Sequence, residues 1–273
     1  MLKQRVITAL VLAALMLAAM FGLSNAHFAM AIGGMLLIGA WEWSNLMSVS
    51  NPLARIAYVL VIATCMYIGF ELRSLASFFV PLILVVAVIF WLAYASRWVL
   101  TYPKDIIWHQ QIILAPLGIV VLVPAWLGLV DLQGRAEGPW YVLFTIAVVA
   151  SADIGAFFTG RAFGKNKLAP AVSPGKSWEG FFGGLASSIV LALITASMLH
   201  LGGFRLIGCV LLVAATAVVS VLGDLFESML KRQRGIKDSG WVLPGHGGVL
   251  DRLDSLSAAI PLFALGIWLA GGV

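Results

Sequence analysis

Residues 205–254 read RLIGCVLLVAATAVVSVLGDLFESMLKRQRGIKDSGWVLPGHGGVLDRLD and hold both features that decide the fold of this chain. The first part, residues 205–227, is an apolar run of the length that one helix needs to cross a bilayer, about 20 residues. The second part, residues 228–254, is strongly polar and holds five of the 17 Lys and Arg residues and three of the 12 Asp and Glu residues of the chain. We therefore expect apolar helices that carry a polar cluster at one end.

The whole chain has the composition of a membrane protein. Of its 273 residues, 62% are hydrophobic and 11% are charged, and the mean hydropathy is +1.02, whereas soluble domains carry about 25% charged residues. The net charge of +5 comes from basic residues in short loops, which is typical of membrane orientation and of anionic lipid contact rather than of nucleic-acid binding. The composition predicts an all-α polytopic integral membrane protein with no nucleic-acid partner.

Nine apolar runs are candidates for transmembrane helices. They are residues 5–23, 28–47, 54–71, 77–96, 110–130, 139–159, 180–200, 205–227 and 255–272. With a cytoplasmic N-terminus, fourteen of the 17 Lys and Arg residues fall on the cytoplasmic side and only Arg73, Arg135 and Arg205 on the other. Because cytoplasmic loops carry an excess of basic residues, we predict about nine transmembrane helices, a cytoplasmic N-terminus and a periplasmic C-terminus.

Polar residues divide the chain into two parts. Residues 1–105 carry few polar groups in their helices, and we expect them to anchor the protein, to give lipids lateral access and to provide surfaces for dimer contacts. Residues 106–273 carry nearly all of the candidate chemistry and form the predicted catalytic part. Its cytoplasmic loops, 150–180 and 224–254, are the longest and most polar, so the function is expected there.

Carboxylates recur at the cytoplasmic ends of three predicted helices. Asp224 and Glu227 are three residues apart and share one helical face. Asp251 and Asp254 repeat this spacing, and Asp153 lies near the end of the sixth predicted helix. Each charge at membrane depth costs about 2.5–3.5 kcal/mol and needs a partner or a function. Such carboxylates suit Mg²⁺, which binds a few of them together with substrate phosphates; ion pairs with neighbouring basic residues are the alternative. The predicted metal ligands are Asp153, Asp224, Asp251 and Asp254.

A glycine-rich loop precedes the last predicted helix. Glycines flank His246 there, so backbone N–H groups of residues such as Gly247 and Gly248 can approach a phosphate closely. Nearby basic residues could neutralise a triphosphate; these are Lys231, Arg232, Lys237 and Arg252. His246 is a candidate general acid or base, with phosphate binding as an equal alternative.

The segment Ser173–Glu179 opens the seventh predicted helix with polar, turn-forming residues. Ser177 or a neighbour is expected to cap this helix. Lys176 could then meet a phosphate at the helix N-terminus. The alternative is an ordinary capped helix start with a lysine on the cytoplasmic side.

A further carboxylate, Glu42, lies between Trp41 and Trp43 toward the cytoplasmic end of the second predicted helix. Tryptophans at that depth are normally interfacial anchors. We expect Glu42 to pair with a basic loop residue and assign it no catalytic role.

The segment from Ser228 to Asp254 resembles the signature of the phosphatidate cytidylyltransferase family, also called CDP-diacylglycerol synthases. The resemblance extends through residues 153–161 and 173–180 and so covers most of residues 150–256. One departure is Ile154, where a small hydroxyl residue is expected. The matching positions of the signature are Ser228, Lys231, Arg232, Lys237, Asp238, Pro244, His246, Gly247, Gly248, Asp251, Arg252 and Asp254.

This resemblance implies an enzyme of the bacterial inner membrane that joins CTP to phosphatidic acid and releases CDP-diacylglycerol and pyrophosphate in phospholipid biosynthesis. It also implies Mg²⁺, with a monovalent cation such as K⁺ beside it, and an all-helical homodimer with a polar cavity open to the cytoplasm and to lipid. The family's metal site falls on Asp224 and Asp251. The predicted catalytic residues are Asp224, Asp251, Lys237 and His246. The predicted substrate-binding residues are Lys176, Ser177, Ser228, Lys231, Arg232, Gly247, Gly248 and Arg252.

The residues suit this reaction on their own terms. Both reactants are anions, so metal ions, lysine and arginine must screen their repulsion and the charge of the leaving group. A phosphate nucleophile is already ionised near neutral pH, which places the metal carboxylates ahead of His246. A CTP-dependent lipid kinase would instead need a base for its alcohol substrate. A transporter would carry polar residues through the depth of several helices, whereas here they gather at the cytoplasmic ends.

Overall fold

The structure is a computed structural model that describes residues 2–104 and 111–271. The protein consists mainly of long apolar helices that are joined by loops. The helices of the first part are α1 (Leu2–Gly22), α2 (Asn25–Leu46), α3 (Pro52–Leu75), α4 (Phe79–Ile89) and α5 (Ser96–Thr101). A π-helical turn, Phe90–Ala95, makes α4 and α5 one continuous segment. The helices of the second part are α6 (Gln111–Gln133), α7 (Gly138–Phe163), α8 (Trp178–Met198), α9 (Gly203–Arg234) and α10 (Leu250–Leu269).

Each of the nine predicted apolar runs coincides with a helical segment of the described chain. Seven of these segments are long and apolar enough to cross a membrane: α3, the continuous segment Phe79–Thr101, α6, α7, α8, α9 and α10. The apolar part of α1, Val6–Gly22, is shorter. The all-helical polytopic architecture is therefore confirmed, and nine spans remain a prediction.

One element was missed by the sequence reasoning. Between α7 and α8 the chain forms an antiparallel hairpin of β1 (Lys167–Ala169) and β2 (Ser173–Ser177), in which Lys167 pairs with Ser177. The hairpin delivers the chain directly to the first residue of α8 and fixes where that helix begins.

Helix α6 lies at the centre of the bundle and packs against α2, α3, α4, α7 and α10. Two buried indoles tie α2 to it, because a buried Trp N–H requires an acceptor. Trp43 Nε1 donates to Leu114 O at 2.8 Å, and Trp126 Nε1 donates to Ala29 O at 2.9 Å. Trp43 is 2% exposed, so its expected position as an interfacial anchor is wrong: its ring belongs to the core.

Polar contacts gather at the two ends of the bundle. At one end, Asn25 donates to Gln133 Oε1 at 2.7 Å, and Gln133 donates to Leu23 O, which joins the end of α1, the start of α2 and the end of α6. At the other end, Thr8 donates to Pro244 O at 3.1 Å. The loop after α9 therefore lies at the end where α1 begins, and Arg232 at the end of α9 donates there to Val172 O in the loop after α7.

Small residues let α7 and α8 approach each other closely, as is common where helices pack in membranes. A Cβ on Gly155 would lie 2.6 Å from Ser187 Cβ, and one on Gly184 would lie 2.5 Å from Ala152 O. These two helices form one wall of the polar end of the bundle, so their separation affects the groups there.

Gly184→Leu is predicted to destabilise the protein, because the added side chain must push α8 away from the backbone of α7. Overpacking of this kind costs about 1–3 kcal/mol. The measurement is the thermal unfolding midpoint in detergent. Gly208→Leu is the matched control, since no atom of the described residues lies within 4 Å of a Cβ at Gly208. Equal midpoints for the two variants would contradict the packing described for α7 and α8.

Candidate active site

Five carboxylates from three helices meet at the end of the bundle where α1 begins. Asp153 comes from α7, Asp224 and Glu227 from α9, and Asp251 and Asp254 from α10. Asp224 lies close enough to Asp153 and to Asp254 for their charges to interact, and Glu227 interacts with Asp251 and Asp254 in the same way. The convergence expected from their spacing is therefore present, and these five residues are called the carboxylate cluster.

A single ammonium group joins two members of this cluster. Lys231 Nζ lies 2.6 Å from Asp251 Oδ1 and 3.1 Å from Glu227 Oε1. All three side chains are largely buried. Breaking such a pair leaves an uncompensated buried charge, which is strongly destabilising. The sequence analysis left ion pairs with basic residues as an alternative to metal binding. Such an ion pair is present between Lys231 and Glu227, and Asp251 is a second partner of Lys231.

Asp251 is held from its other side by the α9–α10 loop, residues 235–249. Its Oδ2 accepts hydrogen bonds from Gly248 N at 2.8 Å, Ser239 N at 2.9 Å and Ser239 Oγ at 3.0 Å. Gly247 has φ +78°, and a Cβ there would lie 2.7 Å from Asp251 Oδ2. Both the backbone conformation and the close approach require glycine at this position.

Asp224 is tied to the hairpin rather than to the loop. Lys176 Nζ, carried by β2, lies 2.5 Å from Asp224 Oδ2, and Ser228 Oγ donates to Asp224 Oδ1 at 3.2 Å. Next to Lys176, Ser177 Oγ accepts from Gly180 N at 3.1 Å and caps α8. The predicted cap is confirmed, while the role of Ser177 in substrate binding remains a prediction.

A cavity of about 360 Å³ opens between α7, α8 and the hairpin, and we call it the α7–α8 cavity. Its polar lining includes Asp153, Arg161 and Lys176, and its apolar lining includes Phe157 and Phe181. This combination of cations with aromatic and aliphatic walls suits a ligand that has a phosphate and a hydrocarbon part.

A second cavity of about 550 Å³, the loop cavity, lies against the α9–α10 loop. Its side chains are almost all polar: Lys237, Asp238, His246 and Arg252. His246 Nδ1 is buried, and among the described residues it has no hydrogen-bond partner. The loop cavity therefore has cations for an anionic ligand and one polar atom still to be satisfied.

Asp153 is the member of the carboxylate cluster that lines a cavity, the α7–α8 cavity. Asp153 interacts electrostatically with Lys176, which lines the α7–α8 cavity, and with Arg252, which lines the loop cavity. The charge of Asp153 is therefore felt by one cation of each cavity.

Four predicted substrate-binding residues line neither cavity: Ser228, Lys231, Arg232 and Gly248. Arg232 Nε donates to Val172 O at 3.3 Å and links α9 to the turn of the hairpin. Gly248 is buried, with its N–H directed at Asp251. Ser228 and Lys231 contact the carboxylates Asp224 and Asp251 instead. In the structure these four residues support the site, and direct contact with a substrate remains a prediction for all of them.

The sequence reasoning missed the part that Glu42 takes in this region. It was expected to pair with a basic residue, but its described partners are Val249 N at 3.1 Å, Leu250 N at 2.8 Å and Ser239 Oγ at 3.2 Å. The cost of a charge inside an apolar helix was a valid signal for a specific partner. The partner could not be identified because it lies about 200 residues away in the chain.

The carboxylate cluster offers oxygen ligands of the kind that Mg²⁺ takes. In the described ranges, no three Asp, Glu, His or Cys side chains form a group able to hold a metal ion unaided. Mg²⁺ needs only one or two carboxylates when waters and phosphates complete its shell. A carboxylate offers about four acceptor positions. Asp224, with two described donors, keeps free positions, whereas Asp251 already accepts from four described donors and would exchange one of them for the ion. Three cations interact with the cluster: Lys176, Lys231 and Arg252. The five carboxylates therefore carry two more formal negative charges than these cations neutralise. The residues therefore fit a divalent cation, which remains a prediction.

Comparison with known proteins identifies the family. The family model described as "Cytidylyltransferase family" matches residues 3–270. A phosphatidate cytidylyltransferase of Pseudomonas aeruginosa is 46% identical over 272 residues, covering 99% of this chain and 98% of the relative. One of Haemophilus influenzae is 40% identical over 282 residues, covering 97% and 98%. One of Brucella suis is 50% identical over 125 residues, 45% of each chain. The resemblance stated for the sequence is confirmed, and this chain belongs to the cytidylyltransferase family.

Proposed function

We propose that this protein transfers CMP from CTP to phosphatidic acid, giving CDP-diacylglycerol and pyrophosphate for phospholipid biosynthesis. Its family, and relatives named phosphatidate cytidylyltransferase that align along almost the whole chain, support this function. The observation that carries it is a carboxylate cluster whose member Asp153 interacts with cations of two cavities of different polarity. One substrate of this reaction is a lipid and the other a water-soluble nucleotide, so a site of this kind is needed.

The lining of each cavity suggests its substrate. In our proposal the phosphate of phosphatidic acid meets Arg161 and Lys176 in the α7–α8 cavity, while the glycerol and acyl part lies along Phe157 and Phe181. The triphosphate of CTP lies in the loop cavity, where Lys237 and Arg252 are in reach. Charge-assisted contacts from lysine and arginine are the strong ones for phosphate.

The reaction needs little covalent chemistry from the protein. A phosphate oxygen of phosphatidic acid attacks the α-phosphorus of CTP, a new P–O bond forms, and the bond to pyrophosphate breaks. The lipid phosphate is ionised near neutral pH, so no strong base is required. The contribution of this chain is to hold two anions in contact and to screen their repulsion, as in other phosphoryl transfers. His246 then serves to bind or position a phosphate.

Asp224 and Asp251 are the residues proposed to hold Mg²⁺, with Asp153 and Asp254 as further ligands. When bound, the ion supplies charge neutralisation for the phosphates of CTP. A monovalent cation such as K⁺ beside it also belongs to the proposal.

The location follows from the charges of the loops. Fourteen of the 17 Lys and Arg residues belong to the side that carries the carboxylate cluster under the nine-span topology. Because basic loops favour the cytoplasm, we place the cluster at the cytoplasmic face of the bacterial inner membrane, where CTP is present. The periplasmic C-terminus and the homodimer are parts of the same proposal.

The test of the proposed function is turnover by detergent-purified protein with phosphatidic acid and CTP labelled at either the α or the γ phosphate. Transfer of the α label to lipid, release of pyrophosphate and dependence on Mg²⁺ are expected. Entry of the γ label into lipid would instead indicate a kinase. Transfer of neither label would contradict both activities.

Asp251→Asn is predicted to lower kcat by about 100-fold or more, since even partners in the outer shell of a metal commonly change activity 10–100-fold. The variant should remain folded, because Asn keeps an acceptor for Gly248 N and Lys231 keeps Glu227. The measurement is the initial rate on folded protein. Asp131→Asn removes a carboxylate paired with Arg135 at 2.8 Å at the opposite end of the bundle and is the matched control. Near-normal turnover in Asp251→Asn would refute the metal assignment.

The assignment of substrates to cavities predicts that two matched substitutions each raise KM for a different substrate. Arg161→Ala should raise KM for phosphatidic acid about tenfold, and Lys237→Ala should raise KM for CTP about tenfold, since a charged hydrogen bond is worth about 1.5–3 kcal/mol. KM for the other substrate should change little in each variant. The measurement is a pair of substrate titrations for each protein. If Arg161→Ala raised KM for CTP and left KM for phosphatidic acid unchanged, the assignment would be wrong.

A further inference from the structure

Glu42 is a buried carboxylate that the proposed reaction does not use. It lies near the end of α2 and is 3% exposed. It lines neither the α7–α8 cavity nor the loop cavity. A buried carboxylate is retained only where its lone pairs are satisfied, so the groups that surround it indicate what it does.

Those groups belong to the start of α10. Glu42 Oε1 accepts from Val249 N at 3.1 Å, and Oε2 accepts from Leu250 N at 2.8 Å. The first N–H groups of a helix have no acceptor within the helix, and the N-cap residue Val249 offers no side-chain hydrogen bond of its own. The carboxylate of Glu42 therefore caps α10 from a different helix and places a negative charge at its positive end.

A hydroxyl connects this cap to the carboxylate cluster. Ser239 Oγ lies 3.2 Å from Glu42 Oε2 and 3.0 Å from Asp251 Oδ2, so its single proton is shared between the two carboxylates. Ser239 N donates to Asp251 Oδ2 as well. The α9–α10 loop is thus held by two carboxylates, one from α2 and one from α10.

The loop is shaped to receive Glu42. A Cβ on Gly240 or on Gly248 would overlap the carboxylate of Glu42. Glycine at these two positions leaves the space that the carboxylate fills. Asp251 follows Leu250 directly, so a shift of the capped turn would move Asp251.

We propose that Glu42 is a positioning residue: by capping α10 and binding Ser239, it fixes Asp251 and the α9–α10 loop for the metal and the nucleotide. It touches no substrate. This inference rests on the proposed function, because Asp251 is there assigned to Mg²⁺ and the loop cavity to CTP. It also gives α2, in the predicted anchoring part of the chain, an effect on catalysis that acts through Asp251 and the α9–α10 loop.

The test compares three variants with the wild-type protein. Glu42→Gln removes the charge and replaces one acceptor by a donor that faces backbone N–H groups. Ser239→Ala removes only the shared hydroxyl. Gln133→Leu is the control, because it removes a buried hydrogen-bonding side chain at the opposite end of the bundle.

The kinetic readout is kcat, KM for phosphatidic acid and the Mg²⁺ concentration at half-maximal rate. For Glu42→Gln we expect kcat to fall about 10–100-fold and the half-saturating Mg²⁺ concentration to rise about tenfold. KM for phosphatidic acid should stay near the wild-type value, because Glu42 does not contact the α7–α8 cavity. Ser239→Ala should change the same quantities in the same direction by a smaller factor, and Gln133→Leu should leave them unchanged.

The second readout needs no substrate. Hydrogen–deuterium exchange of Val249, Leu250 and the α9–α10 loop should accelerate about tenfold in Glu42→Gln, while the other helices keep wild-type rates. Faster exchange across the whole protein, with kinetics like those of Gln133→Leu, would mean that Glu42 only stabilises the fold and would overturn the inference.

The variants also separate this inference from the proposed function. Wild-type kcat and Mg²⁺ dependence in folded Glu42→Gln would refute the positioning role while CMP transfer stands. If Glu42→Gln does not fold, wild-type kinetics in Ser239→Ala refute it. If the wild-type protein transfers no CMP, the proposed function fails, and the role of Glu42 is then decided by the exchange rates alone.

Discussion

The contact of the Lys231 ammonium with the carboxylates of Glu227 and Asp251 is the interaction on which the polar end of this protein depends. It joins α9 to α10 at a depth where an unpaired charge would be costly. The opposite charges compensate one another's burial, because the Lys231 ammonium lies within ion-pair distance of both carboxylates. With Asp251 fixed in this way, the loop can fold around its second oxygen, and the rest of the site follows from that arrangement.

Two carboxylates of the cluster, Asp224 and Asp251, are held by lysines from different elements. Asp224 is held by Lys176 from the hairpin, and Asp251 by Lys231 from α9. The two halves of the site are therefore built on different elements, the α7–α8 wall on one side and the α9–α10 loop on the other. This division matches the two cavities, one with apolar walls and one polar. In the proposed function it gives a lipid and a nucleotide separate approaches to the site.

Local patterns were sufficient for much of the structure. The apolar runs located the helical segments, because a helix is the structure that satisfies its own backbone in an apolar environment. Ser177 was identified as a cap from its position before an apolar run, and the spacing of Asp224 and Glu227 placed them on one face. Trp43 was misjudged, because the same residue type serves at an interface and in a core, and only packing against α6 decides between them.

The sequence by itself determined an all-helical membrane protein, the family to which it belongs, and the set of carboxylates and cations that gather at one end. These properties depend on composition, periodicity and short-range spacing, which a chain carries in linear order. Only the tertiary structure decided which cation meets which carboxylate, that α7 and α8 are separated by a hairpin, and that Glu42 caps a helix that begins more than 200 residues later. Those outcomes depend on which helix ends become neighbours. Distances between buried charges and N–H groups set the free energy of pairing them, and the linear order of the residues does not contain those distances.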